Sequence, residues 1–226
     1  EIEVEFDNAE CSAKGLDAAA LRKYVQGAIK DVCSGMQTSP YPIPLPEQFD
    51  VLKQYTGLLF GDTATNRAKS DRVSPKLFLS PGFVSLQMRN VVDNPDYIAN
   101  YASIRQGYTV TDKADGLHKL LFVTASRRVY LIDTNMSVQF TGLVMDDDRL
   151  QGTVLDGEHI VHGKASNYIN LFLIFDVLYA NGLDVREFPL YVDSGAPTDA
   201  IEKLDAANVP ASARIFDVGD NRSRLY

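Results

Sequence analysis

The chain has 226 residues, 45% of them hydrophobic and 23% charged, a balance that suits a globular protein of one large or two small domains. Its net charge of −8 argues against a protein that grips a nucleic-acid backbone along its length, so any RNA contact is expected at an end alone. No apolar run reaches the roughly 18 residues of a membrane span, so no membrane partner is expected, and two cysteines, Cys11 and Cys33, are too few for a disulfide framework and point to a reducing compartment.

Glu1 to Phe6 alternates strictly, which predicts a strand with Glu1, Glu3 and Glu5 on one face and Ile2, Val4 and Phe6 on the other. A chain that opens this way, with no initiator Met, reads as a piece of a longer polypeptide. Leu16, Ala20, Leu21, Tyr24, Val25, Ala28, Ile29 and Val32 recur at helical steps, which predicts a helix over 16–33 with Asp17 at its start and Gly35 as its stop. Pro40, Pro42, Pro44 and Pro46 then alternate, which predicts an extended strap and a domain boundary. A short helix is expected near 47–55, and a polar loop over 61–76.

From Tyr108 onward the pattern turns to strands. Segments 108–110, 117–124, 129–132, 138–143, 153–160 and 170–178 are rich in β-branched and aromatic residues and are separated by turn residues. Such short connections favour antiparallel pairing. A last helix is expected over 198–207, capped by Thr198.

Three short motifs carry chemistry. Lys113-Ala114-Asp115-Gly116 places a lysine between two strands, with a glycine that lets the backbone approach a ligand closely. A lysine amine attacks phosphorus only when it is unprotonated, which burial or neighbouring cations favour. Asp156-Gly157-Glu158 ends a strand-like run with carboxylates able to meet a ribose hydroxyl or a metal-bound water. Standing alone, it reads first as an Asp-Gly turn with a surface glutamate. Asp176 lies inside the apolar run 172–179, where a carboxylate is costly unless partnered. Phe172, four residues earlier, is expected on the same strand face as Asp176.

In order and spacing, the succession K-x-D-G, D-G-E and F-D resembles motifs I, III and IIIa of the covalent nucleotidyltransferases. The wording around Lys113 and over 175–182 is most similar to the guanylyltransferase region of the multifunctional mRNA capping enzymes of large DNA viruses. The resemblance covers roughly residues 75–190.

It implies an α+β fold, with an antiparallel twisted sheet flanked by helices over residues 39–226. Residues 1–38 would be the strand-helix C-terminal end of a tunnel-type RNA triphosphatase domain. Lys113 would form a lysyl-N-GMP from GTP and pass GMP to a 5′-diphosphate RNA end. Asp115, Gly116, His118, Asp156, Glu158, Phe172 and Asp176 would bind the nucleotide, with Phe172 stacked on the purine. Mg or Mn would be held by Glu158 and Asp176, and by Glu1, Glu3 and Glu5 in the preceding domain. Partners would be GTP, the 5′ end of RNA and the triphosphatase and methyltransferase domains of the longer polypeptide, in the cytoplasm of a host or in a virion. An ATP-dependent DNA or RNA ligase shares these motifs, and a non-catalytic nucleotide- or partner-binding fragment is the other class. Where family members carry Arg two residues after the motif glycine, this chain carries His118. Beyond Asp176 neither the second acidic motif nor the K-x-K motif is found. A site built from this chain alone would therefore lack its cationic phosphate clamp.

Overall fold

The computed structural model describes residues 3–61, 73–80, 84–91, 104 and 113–187. Among these, three helices come first: α1 (Asn8–Ala13), α2 (Ala18–Gln37) and α3 (Leu45–Phe60). Six strands follow: β1 (Leu117–Val123), β2 (Arg128–Asp133), β3 (Val138–Val144), β4 (Thr153–His162), β5 (Tyr168–Ala180) and β6 (Leu183–Asp184). The strands form one sheet in the order β3-β2-β1-β4-β5-β6, every neighbour antiparallel. The five strands expected over 117–178 are present, each shifted at its ends by no more than two residues. The α+β class holds.

The opening segment differs from expectation. Residues 3–7 have no strand pairing, and Glu3 and Glu5 are exposed. A lone alternating segment gains nothing as a strand without a neighbour to take its backbone hydrogen bonds. Glu1, the segment 108–110 and the helix expected over 198–207 lie outside the described residues.

Asp17 caps α2 as expected, its carboxylate accepting from the Ala20 N–H at 2.7 Å. The helix runs past Gly35 to Gln37 and stops where Thr38 adopts a left-handed conformation at φ 47°. None of its residues is buried. α3 is longer than expected and begins at Leu45, because Pro46 falls in the first turn, where its missing N–H costs no hydrogen bond. The proline strap is therefore only the short turn before α3. The Gln37 side chain fastens it, bonding both the N–H and the carbonyl of Ile43.

α3 lies on one face of the sheet. Ile43, Val51, Leu52 and Tyr55 pack with Leu120, Phe122, Tyr130, Ile132, Val138, Val154, Leu178 and Tyr179. On the opposite face Leu121, Val123, Val129, Leu131 and Phe172 form a second cluster. Two cores on opposite faces explain why the central strand β1 is buried continuously from Lys119 to Val123 rather than at alternate positions. Burying a side chain of this size contributes about 1.5–3 kcal/mol, so these two clusters, and not α1 or α2, hold the sheet.

Candidate functional site

Beyond the α3 core, the same sheet face turns polar. Successive inward positions on β4 are Val154, Asp156 and Glu158. Their partners on β1 are Phe122, Leu120 and His118. On β5, Asp176 pairs with Asp156. The apolar face thus ends in a patch holding His118, Asp156, Glu158 and Asp176, beside the loop that carries Lys113.

Gly116 joins that loop to the patch. Its N–H donates to the Glu158 Oε1 at 2.9 Å. A Cβ at this position would stand 2.6 Å from the His159 carbonyl oxygen and 3.0 Å from the Glu158 Cγ. The close approach requires glycine and explains the motif physically. Lys113 is exposed, and its Nζ donates to the Asp115 Oδ1 at 2.5 Å. That bond, with the charge of Asp115 and then of Glu158, pushes the Lys113 amine above its ordinary value. The reverse was expected from burial or neighbouring cations. Lys113 is exposed, no cation among the described residues lowers its amine, and the adjacent carboxylate favours the ammonium.

His118 is the best-held side chain of the patch. Its Nε2 lies 2.6 Å from the Asp156 Oδ1. The ring of Phe78 meets it edge-on at 5.3 Å and Phe175 lies 5.8 Å away, tilted by 36°. Asp156 is 2% exposed. Burial pushes its carboxyl up, partly offset by the His118 bond, while the charge of Asp176 pushes it further up. His118 is therefore a half-buried, bonded residue of the patch. Asp176 accepts from the Val177 N–H at 2.8 Å, a local bond that meets part of its demand inside the strand.

Phe172 and Asp176 do not share a face. Asp156 pairs with Asp176 but Gly157 pairs with Ile174, so a bulge at 174–176 interrupts the alternation of β5. Phe172 is turned to the opposite face, 6% exposed, in the second core. Its ring covers Gly157 so closely that a Cβ there would come within 2.6 Å of it. The aromatic residue that the bulge brings to the patch is Phe175. A strand read as an unbroken two-residue repeat hides this switch. Phe78 was also missed, since the apolar run Leu77-Phe78-Leu79 is too short to show a helical or strand period.

Tyr55 fixes Phe78. This wholly buried phenol donates to the Leu77 carbonyl and accepts from the Leu79 N–H, both at 2.9 Å. Two backbone groups flanking Phe78 are thereby held to α3. A short 3-10 turn over Pro75–Leu77, capped by Ser74, precedes them.

The expected metal ligands are not gathered. Among the described residues no three His, Cys, Asp or Glu side chains are grouped so as to hold a metal ion. Glu3 and Glu5 lie on the unpaired opening segment. Asp156, Glu158 and Asp176 share the β4–β5 face without forming a cage. His159, on the opposite face, bonds Asn170 through Nε2 at 2.8 Å, and burial lowers its basicity.

Over residues 101–206 the sequence matches the family described as mRNA capping enzyme, catalytic domain. That span takes in Lys113, Glu158 and Asp176 in the order the motifs require. The chain is also 31% identical over 152 residues to a probable mRNA-capping enzyme of Acanthamoeba polyphaga mimivirus. The aligned segment is 67% of this chain and 11% of that viral capping enzyme. The chain thus corresponds to a small part of that relative.

Proposed function

We propose that this chain carries the nucleotidyl-transfer core of an mRNA guanylyltransferase, with Lys113 as the nucleophile. The observation that carries the reading is the tie between the lysine loop and the carboxylate strand, where the Gly116 N–H is bonded to Glu158. This tie sets motif residues that are 42 positions apart in sequence side by side, within a span that matches the capping-enzyme catalytic family.

In the first step the neutral Lys113 amine attacks the α-phosphorus of GTP. The bond to the β-phosphate oxygen breaks, pyrophosphate leaves, an N–P bond forms and the amine proton passes to solvent. In the second, a terminal oxygen of a 5′-diphosphate RNA attacks the same phosphorus, the N–P bond breaks and the nitrogen takes up a proton from solvent, returning the amine. The resting ammonium, held by Asp115, must first leave that carboxylate and lose a proton. Glu158 is proposed to meet the ribose and Asp176 the phosphate side. With no three-carboxylate cage among the described residues, Mg or Mn is proposed to arrive with the triphosphate, as such ions commonly do.

Residues 1–38 are proposed to be the end of a preceding triphosphatase domain. In support, α2 buries none of its residues and leaves Leu21, Tyr24, Ile29 and Met36 exposed. The test of the activity is covalent labelling from α-labelled GTP. A label resistant to denaturation and lost in Lys113→Ala is expected. A label from ATP in its place would move the chain to the ligases.

A further inference from the structure

We propose that Asp156 is a positioning residue that acts through His118, and that it does not itself meet the nucleotide or its cation. The proposal rests on the reading above only in taking this face as the nucleotide's.

Three observations carry it. Asp156 is 2% exposed, and the imidazole occupies its Oδ1, so the carboxylate is not open to a solvated ligand. The contact is directional and short: Oδ1 meets Nε2 at 2.6 Å, just under the roughly 2.7–2.9 Å usual for a charge-assisted N–H···O bond. And the ring is fixed on its other sides, by Phe78 edge-on at 5.3 Å and by Phe175 at 5.8 Å. Phe78 is in turn fixed by the two Tyr55 bonds. A buried carboxylate bonded to a half-buried imidazole is placed to hold that ring, not to bind a solvated ion.

The proton between them has a determined place. Imidazole is a stronger base than a carboxylate, so the shared proton sits on Nε2 and Asp156 accepts. In neutral His118 this leaves Nδ1 without a proton, and one tautomer is selected, as a partner carboxylate does for histidines generally. An asparagine at 156 keeps the shape but can offer either an oxygen or an N–H to Nε2, so it releases that selection.

The test uses the full chain labelled with ¹⁵N-histidine, the resonances being assigned with His118→Gln. At a pH where the ring is neutral, His118 is expected to show a protonated Nε2 and an unprotonated Nδ1. In Asp156→Asn the two nitrogens are expected to move toward averaged values. A wild-type His118 in the Nδ1–H form, or a spectrum that Asp156→Asn leaves unchanged, overturns the proposal, and neither reading depends on catalysis. The second arm measures the KM for GTP in lysyl-GMP formation for Asp156→Asn, His118→Gln and the double variant. A residue acting through His118 gives a rise of about tenfold in each single variant and no further rise in the double. Rises that multiply to about a hundredfold in the double, or a changed Mn requirement in Asp156→Asn, would mean that Asp156 contacts the ligand itself. Should the wild type form no lysyl-GMP at all, the proposed function fails, while the tautomer measurement still decides this inference.

Discussion

Replacing Gly157 by Ala tests the geometry of the patch more sharply than any charge change. The glycine lies on β4 between Asp156 and Glu158 and pairs with Ile174, where β5 bulges. A Cβ there would stand 2.5 Å from the Leu173 carbonyl oxygen and 2.6 Å from two carbons of the Phe172 ring. Neither neighbour gives way cheaply: one is backbone in a ladder, and the other is packed in the second core. Overpacking of this kind costs about 1–3 kcal/mol, equivalent to a fall in melting temperature of roughly 2–12 °C for a domain of this size. Gly27, inside α2, provides the control. Nothing lies within 4 Å of its added Cβ, and alanine in an exposed helix interior is favoured by about 0.5–1 kcal/mol. The same substitution should thus lower the melting temperature at 157 and raise or leave it at 27, by thermal circular dichroism on the two variants side by side. A Gly157→Ala protein as stable as the wild type would refute the close packing of β4 on β5 and the burial of Phe172 beneath it.

Tyr55→Phe removes the hydroxyl that serves the Leu77 carbonyl and the Leu79 N–H. A loss of about 1–3 kcal/mol is expected in urea unfolding, with faster amide exchange at Leu79, and an unchanged midpoint would contradict that anchor. Because Asp115 raises the Lys113 amine, the kcat/KM for adduct formation should climb with pH through the neutral and alkaline range, and Asp115→Asn should move that climb to lower pH. A climb at the same pH in both proteins would show that the ion pair does not control the nucleophile. The buried Lys119 amine is pushed below its ordinary value by burial, with Asp133 opposing. Between that lowered value and 10.5 the folded state binds fewer protons than the unfolded one, so stability from this group rises with pH. Wild type should therefore gain on Lys119→Met in guanidinium midpoints taken at increasing pH up to 10.5, and a gap that is constant or narrows in the other direction would refute the burial of a charged amine.

The strands were legible because β-branched and aromatic runs between turn residues specify pairing with few alternatives, and short connections left antiparallel order as the simple outcome. The lysine loop and the acidic residues of Asp156-Gly157-Glu158 were legible by residue type and order, but the motif lies inside β4, paired on both sides, and not at a strand end or in a turn. Their side-by-side placement follows from the β1–β4 register, in which His118 pairs with Glu158. The bulge in β5 was not legible, since an extra residue leaves no mark in an apolar run, and it exchanges Phe172 for Phe175 at the patch. Nor was the protonation of Lys113, which depends on the rotamer that brings Asp115 to 2.5 Å. The glutamates of the opening segment show the limit of alternation as a signal. It specifies two faces but supplies no neighbouring strand.

The most direct test of the central claim is incubation with α-labelled GTP and Mn, followed by a denaturing gel, with Lys113→Ala alongside. A GTP-derived label on the wild-type chain, released by acid as a phosphoamide would be and absent from the variant, is the expected result. A label that persists in Lys113→Ala, or that comes from ATP in preference to GTP, would contradict the assignment of this chain as a lysine-dependent guanylyltransferase core.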